Sequence, residues 1–172
     1  MKKIILLGYM GCGKSTIAEK LSGLLHLPFV DLDKSIEAKA QMTINQIFES
    51  LGEVYFRKLE HDVFMELLAS PEKQIIGLGG GTPCYANNHE LLKGEGVVSI
   101  YLSATVATLF NRLAHNKSKR PIVANKTKDE LQEFIAKHLF DRSYYYNQAE
   151  YKISVDNKSI DETVSDILEI LT

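Results

Sequence analysis

Continuous apolar runs alternate with stretches of helical periodicity along this chain. Residues 3–7 (KIILL) form an unbroken apolar run, the pattern of a strand buried on both faces. Beyond a glycine-rich segment, Ile17, Leu21, Leu24 and Leu25 fall on one helical stripe. Residues 28–32 (PFVDL) read as a second strand, 74–78 (QIIGL) as a third, 97–102 (VVSIYL) as a fourth and 151–155 (YKISV) as a fifth. Between them, Thr43 with Gln46, Thr127 with Glu130 and Ser159 with Glu162 have the spacing of a capping box. The periodicity predicts a long helix over about 53–69, one carrying Val106, Leu109, Phe110 and Leu113, one from Thr127 to about Gln148, and a last one with Val164, Ile167, Leu168 and Leu171. Strands alternating with helices predict a three-layer α/β/α arrangement with a five-stranded parallel sheet. No repeat, low-complexity tract or linker divides the 172 residues, so a single domain over 1–172 is expected.

Composition narrows the choice. Hydrophobic content of 45% and charged content of 24% are those of a globular protein, and a formal net charge of −2 provides no field for nucleic acid or anionic lipid. No apolar run reaches the length of a membrane span, and the apolar residues after Met1-Lys2-Lys3 are too few for a signal segment. Two cysteines, Cys12 and Cys84, make no disulfide framework and fit a reducing cytoplasm.

Chemistry enters at residues 8–15, GYMGCGKS, which match G-x-x-x-x-G-K-[ST] between the first strand and the first helix. Glycines let successive N–H groups curl round a phosphate, and the helix N-terminus adds its dipole. Lys14 reaches the β and γ oxygens and the Ser15 hydroxyl can ligate Mg²⁺. Cys12 reads as a small residue turned away from the phosphate. Asp31 and Asp33, two apart at the end of an extended segment, are expected to face the same side at the carboxyl ends of the strands. One would hold a metal-bound water and the other would orient or deprotonate an attacking hydroxyl; the plainer alternative has Asp33 cap the helix beginning at Lys34.

Two arginines sit on apolar helix faces. Arg57 and Glu60 fall inside the arc of Phe56, Leu59, Val63, Phe64, Leu67 and Leu68. Arg142 falls near the centre of the arc of Leu131, Phe134, Ile135, Leu139 and Tyr145. Buried charge is costly unless paired or used, so both suggest guanidinium forks converging on a planar carboxylate. A salt bridge at the core's edge for Arg57 and a snorkelled head for Arg142 are the structural alternatives. Gly79-Gly80-Gly81 ends the third strand and allows a ligand onto bare backbone. Residues 115–126 are basic and aperiodic. Lys117, Lys119 and Arg120 there have the composition of a lid, and Arg112 leads into it.

Taken together, GYMGCGKST at 8–16, DLD at 31–33, FR at 56–57 with Glu60, GGG at 79–81, KRP at 119–121 and the RSYYY segment from Arg142 resemble the shikimate kinase family over nearly the whole chain. The resemblance implies a P-loop fold of the nucleoside-monophosphate-kinase type with strand order 2-3-1-4-5. It implies transfer of the γ-phosphate of ATP to the 3-hydroxyl of shikimate, in chorismate and aromatic amino-acid biosynthesis, by a cytoplasmic monomer. A helical acceptor-binding region would span about 33–60 and a lid loop about 113–126. Gly11, Cys12, Gly13, Lys14, Ser15 and Thr16 would bind the nucleotide, with Arg112 against adenine and Arg120 reaching the transferring phosphate. Ser15 would ligate Mg²⁺ directly and Asp31 through water. Asp33, Arg57, Gly79, Gly80, Gly81 and Arg142 would hold shikimate, and Lys14, Asp33 and Arg120 would be catalytic. Family members often carry a proline after the last strand, where this chain reads Asp156-Asn157-Lys158-Ser159. A gluconate kinase of the same fold would share the loop and lid but need not bring two arginines to one carboxylate. A guanine-reading switch would need Asn-Lys-x-Asp, and Asn125-Lys126-Thr127-Lys128 lacks the aspartate.

Overall fold

The computed structural model describes residues 2–115 and 125–172. Five strands, β1 (Lys3–Leu7), β2 (Phe29–Asp31), β3 (Ile75–Gly77), β4 (Val97–Ser103) and β5 (Tyr151–Ser154), pair in parallel in the order 2-3-1-4-5. The expected order and all five strands are observed. Ile5 pairs with Ile76 on one side and Ser99 on the other, which makes β1 the central strand. That position explains its unbroken apolar sequence: Ile4 to Leu7 are each at most 1% exposed.

Helices α1 (Lys14–Leu25), α2 (Leu32–Ala40), α3 (Ile44–Ala69), α4 (Val106–His115), α5 (Lys128–Tyr146) and α6 (Ile160–Leu171) cover the two faces of the sheet. The three capping boxes form as predicted, at Thr43, Thr127 and Ser159. Helix α3 starts earlier than the periodicity indicates because its first turns, capped by Thr43, run into the longer segment. Gly52, with φ 85° and ψ 170°, breaks the geometry between them. Helix α4 continues to His115, so Leu113, 1% exposed, belongs to the core rather than to a loop. Residues 116–124, with Lys117, Lys119 and Arg120, lie outside the described residues. One cluster of buried side chains runs from Ile4 to Ile167. Among the described residues no helix is long and apolar enough to cross a membrane.

The carboxyl ends of β1, β2 and β3 open onto a common cavity of about 270 Å³. Its walls are residues 9–16, Asp31, Asp33 and Leu78 to Gly80. This is the position that the topology of a parallel sheet assigns to a ligand.

Candidate active site

The segment between β1 and α1 is folded to present backbone donors. Gly11 (φ 87°) and Gly13 (φ 91°) occupy the left-handed region, which a side chain would strain. Gly13 is the N-cap of α1 and supplies no side-chain cap, so the first turn of α1 is left to an anion. Cys12 is 1% exposed, and a Cβ added at Gly8 would come 2.8 Å from its sulfur. Its thiol is therefore packed inward, away from the cradle. Lys14, Ser15 and Thr16 border the cavity.

Asp31 and Asp33 share that cavity, but not by strand alternation. Asp31 ends β2 and caps α2, its Oδ1 accepting from the Lys34 N–H at 3.2 Å. Asp33 stands in the first turn of α2. The helix begins at Leu32, so the cap expected of Asp33 falls to Asp31, and a helix N-terminus rather than a pleat brings the two carboxylates together. Burial, reinforced by the Asp31 carboxylate, raises the Asp33 pKa from 3.8 to about 6 against the pull of Lys14. A carboxyl that titrates near neutrality can take or orient a hydroxyl proton.

Arg57 lies on the core-facing side of α3, with its side chain 18% exposed. Its Nη1 donates to Glu60 Oε1 at 3.0 Å, and Glu60 is 1% exposed. The Thr82 hydroxyl donates to the other oxygen, Glu60 Oε2, at 2.8 Å. In turn Asn88 Nδ2 donates to the Thr82 carbonyl at 3.0 Å. The buried carboxylate is thus doubly satisfied, the condition under which a buried ion pair is tolerated. Gly81 lies against the fork of Arg57: a Cβ there would stand 3.0 Å from Nη2 and 3.1 Å from Nη1.

Arg142 reaches the neighbouring glycine from the opposite helix, α5. A Cβ on Gly80 would stand 3.1 Å from Arg142 Nη1, and one on Gly79 would stand 3.0 Å from Asp33 Oδ1. The half-buried Arg142 also approaches the Tyr9 ring, at 5.6 Å, and the Tyr9 hydroxyl meets His138 Nδ1 at 3.0 Å. Burial pushes the Tyr9 hydroxyl up to about 12. Helical periodicity put Tyr145 on the inner face of α5. Tyr145 is half-buried against the His89 ring, and Tyr146 beside it is fully buried, with its hydroxyl donating to the Gly80 carbonyl at 2.5 Å and accepting from Arg142 Nη1 at 3.4 Å. Tyr146 follows Arg142 by four residues, and that spacing was the available signal. Thr82 and the Tyr85 ring, whose centroid lies 3.8 Å from Arg57 Cζ, gave no signal in the sequence because turns bring them in.

Arg112 belongs to the phosphate end: its Nη1 donates to the Gly11 carbonyl at 3.2 Å. After β5, Asn157 adopts φ 54°. Proline is locked near −65° and cannot stand at position 157 in this conformation. Asp156 instead ties this turn to the start of α4, accepting from the Thr105 N–H at 3.0 Å.

A family model described as "Shikimate kinase" matches residues 10–172. The shikimate kinase of Flavobacterium johnsoniae is 65% identical over 171 residues, covering 99% of both chains. Among solved structures, a shikimate kinase from Bacteroides thetaiotaomicron superposes with TM-score 0.90 at 35% identity, covering 99% of this chain and 98% of that one. The shikimate kinase from Acinetobacter baumannii, determined in complex with shikimate, gives TM-score 0.86 at 31% identity, covering 99% and 93%.

Proposed function

The chain belongs to the shikimate kinase family, and from that premise we propose how its residues carry the reaction. The activity is transfer of the γ-phosphate of ATP to the 3-hydroxyl of shikimate, giving shikimate 3-phosphate and ADP. One observation carries the assignment of the acceptor site. Arg57 and Arg142, from two different helices, bring their guanidinium groups onto the adjacent glycines Gly81 and Gly80, beside the cavity of the phosphate loop. A planar carboxylate is the ligand that suits two such forks.

In this reading Gly11 to Thr16 cradle the phosphates of ATP, with Lys14 drawn to the β and γ oxygens. Ser15 and Asp31 bring hard oxygen donors to the same cavity, which fits Mg²⁺ held by the hydroxyl and, through water, by the carboxylate. Mg²⁺ so held would neutralise charge developing on the transferring group. Asp33 faces Gly79 from α2, where it orients the 3-hydroxyl and, titrating near neutrality, can accept its proton. Transfer through a loose transition state asks more for alignment than for a strong base. Gly79 to Gly81, Arg57 and Arg142 hold the ring and carboxylate. Arg112, tied to Gly11, borders the nucleotide end. Arg120 reaching the transferring phosphate rests on the sequence alone. The whole chain would serve as one kinase domain, monomeric and cytoplasmic, with 33–60 as the acceptor-binding region.

The test is ADP release in a coupled assay with Mg-ATP and shikimate, gluconate or no acceptor. Only shikimate should give fast turnover. Equal rates with gluconate would overturn shikimate as the specific acceptor.

A further inference from the structure

The Arg57–Glu60 pair holds its guanidinium only in part. A single hydrogen bond from Nη1 to Glu60 Oε1 fixes one corner of the group but not the tilt of its plane. The Nε–H is buried without a hydrogen-bond partner among the described residues, and Glu53 Oε1 stands 3.8 Å from it. The plane is set from elsewhere. Tyr85, at the rim beyond the turn Thr82–Cys84, lays its ring 3.8 Å from Arg57 Cζ. At that separation from the centroid the cation must lie over the ring face. The Phe56 ring is farther, at 5.1 Å.

Stacking of this kind has a property that a second carboxylate would lack. It holds the cation by its face and leaves the in-plane N–H donors to other partners. It also restrains the arginine without adding a negative charge that would repel an anionic ligand. The fork edge formed by Nη1 and Nη2 then stays directed at Gly81. Tyr85 is 39% exposed and borders an open groove with Val54, Lys58 and Ala86 on the outer side of Arg57.

We propose that Tyr85 is a positioning residue for the acceptor: by stacking on Arg57 it fixes the guanidinium plane that receives the shikimate carboxylate. This rests on the reading of Arg57 as an acceptor ligand. Tyr85 touches no reacting atom and acts through Arg57 alone. Because it is half-exposed, replacing it does not open the core.

The experiment compares Tyr85→Leu and Tyr85→Phe with the wild-type chain in the coupled assay, varying shikimate and Mg-ATP separately. Tyr85→Leu should raise the KM for shikimate by about 3- to 30-fold, the range of one stacked cation, with kcat and the KM for ATP within about twofold. Tyr85→Phe keeps the ring face and should restore the wild-type KM. The proposal is overturned if the shikimate KM of Tyr85→Leu stays within about twofold of wild type. It is equally overturned if Phe is as damaging as Leu, or if both KM values rise together as in a general loss of structure. A second readout does not involve the acceptor: stacking should place the Arg57 Nε–H proton under the ring current of Tyr85, an NMR shift that persists in the Phe variant and vanishes in the Leu variant. Its absence from the wild type would defeat the proposal whatever the substrate. A wild type inert toward shikimate, with that shift present, would defeat only the substrate reading.

Discussion

Replacing Asp33 by Asn should make the protein more stable, and increasingly so as pH rises. The folded chain raises this carboxyl from 3.8 to about 6, chiefly by burial and then by the Asp31 carboxylate. The folded state therefore keeps a proton that the unfolded state has already released between those two values. Stability is present below about pH 4, is lost as pH rises through about 6, and is flat above. A carboxyl moved that far loses about 3 kcal/mol in all, of which about 2 kcal/mol falls between about pH 4.5 and 7.5. An asparagine of the same shape does not titrate and escapes this loss. Urea unfolding of both chains across that range provides the assay. With a slope of about 2 kcal/mol per molar, the gap between the midpoints should widen by about 1 M from the acid end to the neutral end. Turnover should fall at the same time, the usual exchange of stability for a strained site. A gap that stays constant with pH would refute the reasoning, because Asp33 would then titrate in the ordinary carboxylate range.

The remaining predictions concern the acceptor cradle. Arg142→Ala should raise the shikimate KM by on the order of 10²-fold, as expected for losing a charge-assisted fork, and leave the KM for ATP nearly unchanged; an unchanged shikimate KM would remove Arg142 from the site. Gly81→Ala puts a Cβ 3.0 Å from Arg57 Nη2, the movable end of a side chain, so the melting temperature should hold while the shikimate KM rises about tenfold or more. A variant that keeps its KM would mean that the Arg57 fork is not the carboxylate's partner.

Much of the fold was legible because local signals and the global fold agree. The apolar run at 3–7 is the central strand, and the Thr43, Thr127 and Ser159 boxes begin the helices they predict. Arg142 could be placed because a helix repeats every 3.6 residues, and a charge at the centre of an apolar arc has few explanations. What failed did so where short-range patterns compete. Residues 31–33 look equally like the end of a strand and the start of a helix, and only the Asp31–Lys34 cap decides between them. The same arc also takes in Tyr146, which four residues of helix bring back to within about 40° of Arg142. Thr82 and Tyr85 could not be found at all: their partners lie more than 20 residues earlier and meet them through irregular turns.

The pairing of Leu6 with Gly77, extended by the Leu78 N–H to the Leu6 carbonyl at 3.0 Å, works as a ruler between the two substrates. The donor's cradle continues from one strand and the acceptor's from its immediate neighbour, so their separation is inherited from the spacing of a sheet, about 4.8 Å per strand. A one-residue insertion in the 75–77 strand would leave the core apolar, yet slide the acceptor about 3.3 Å along the sheet, past the reach of an in-line attack. The offset between these two strands is therefore as much a part of the reaction geometry as the side chains that line it.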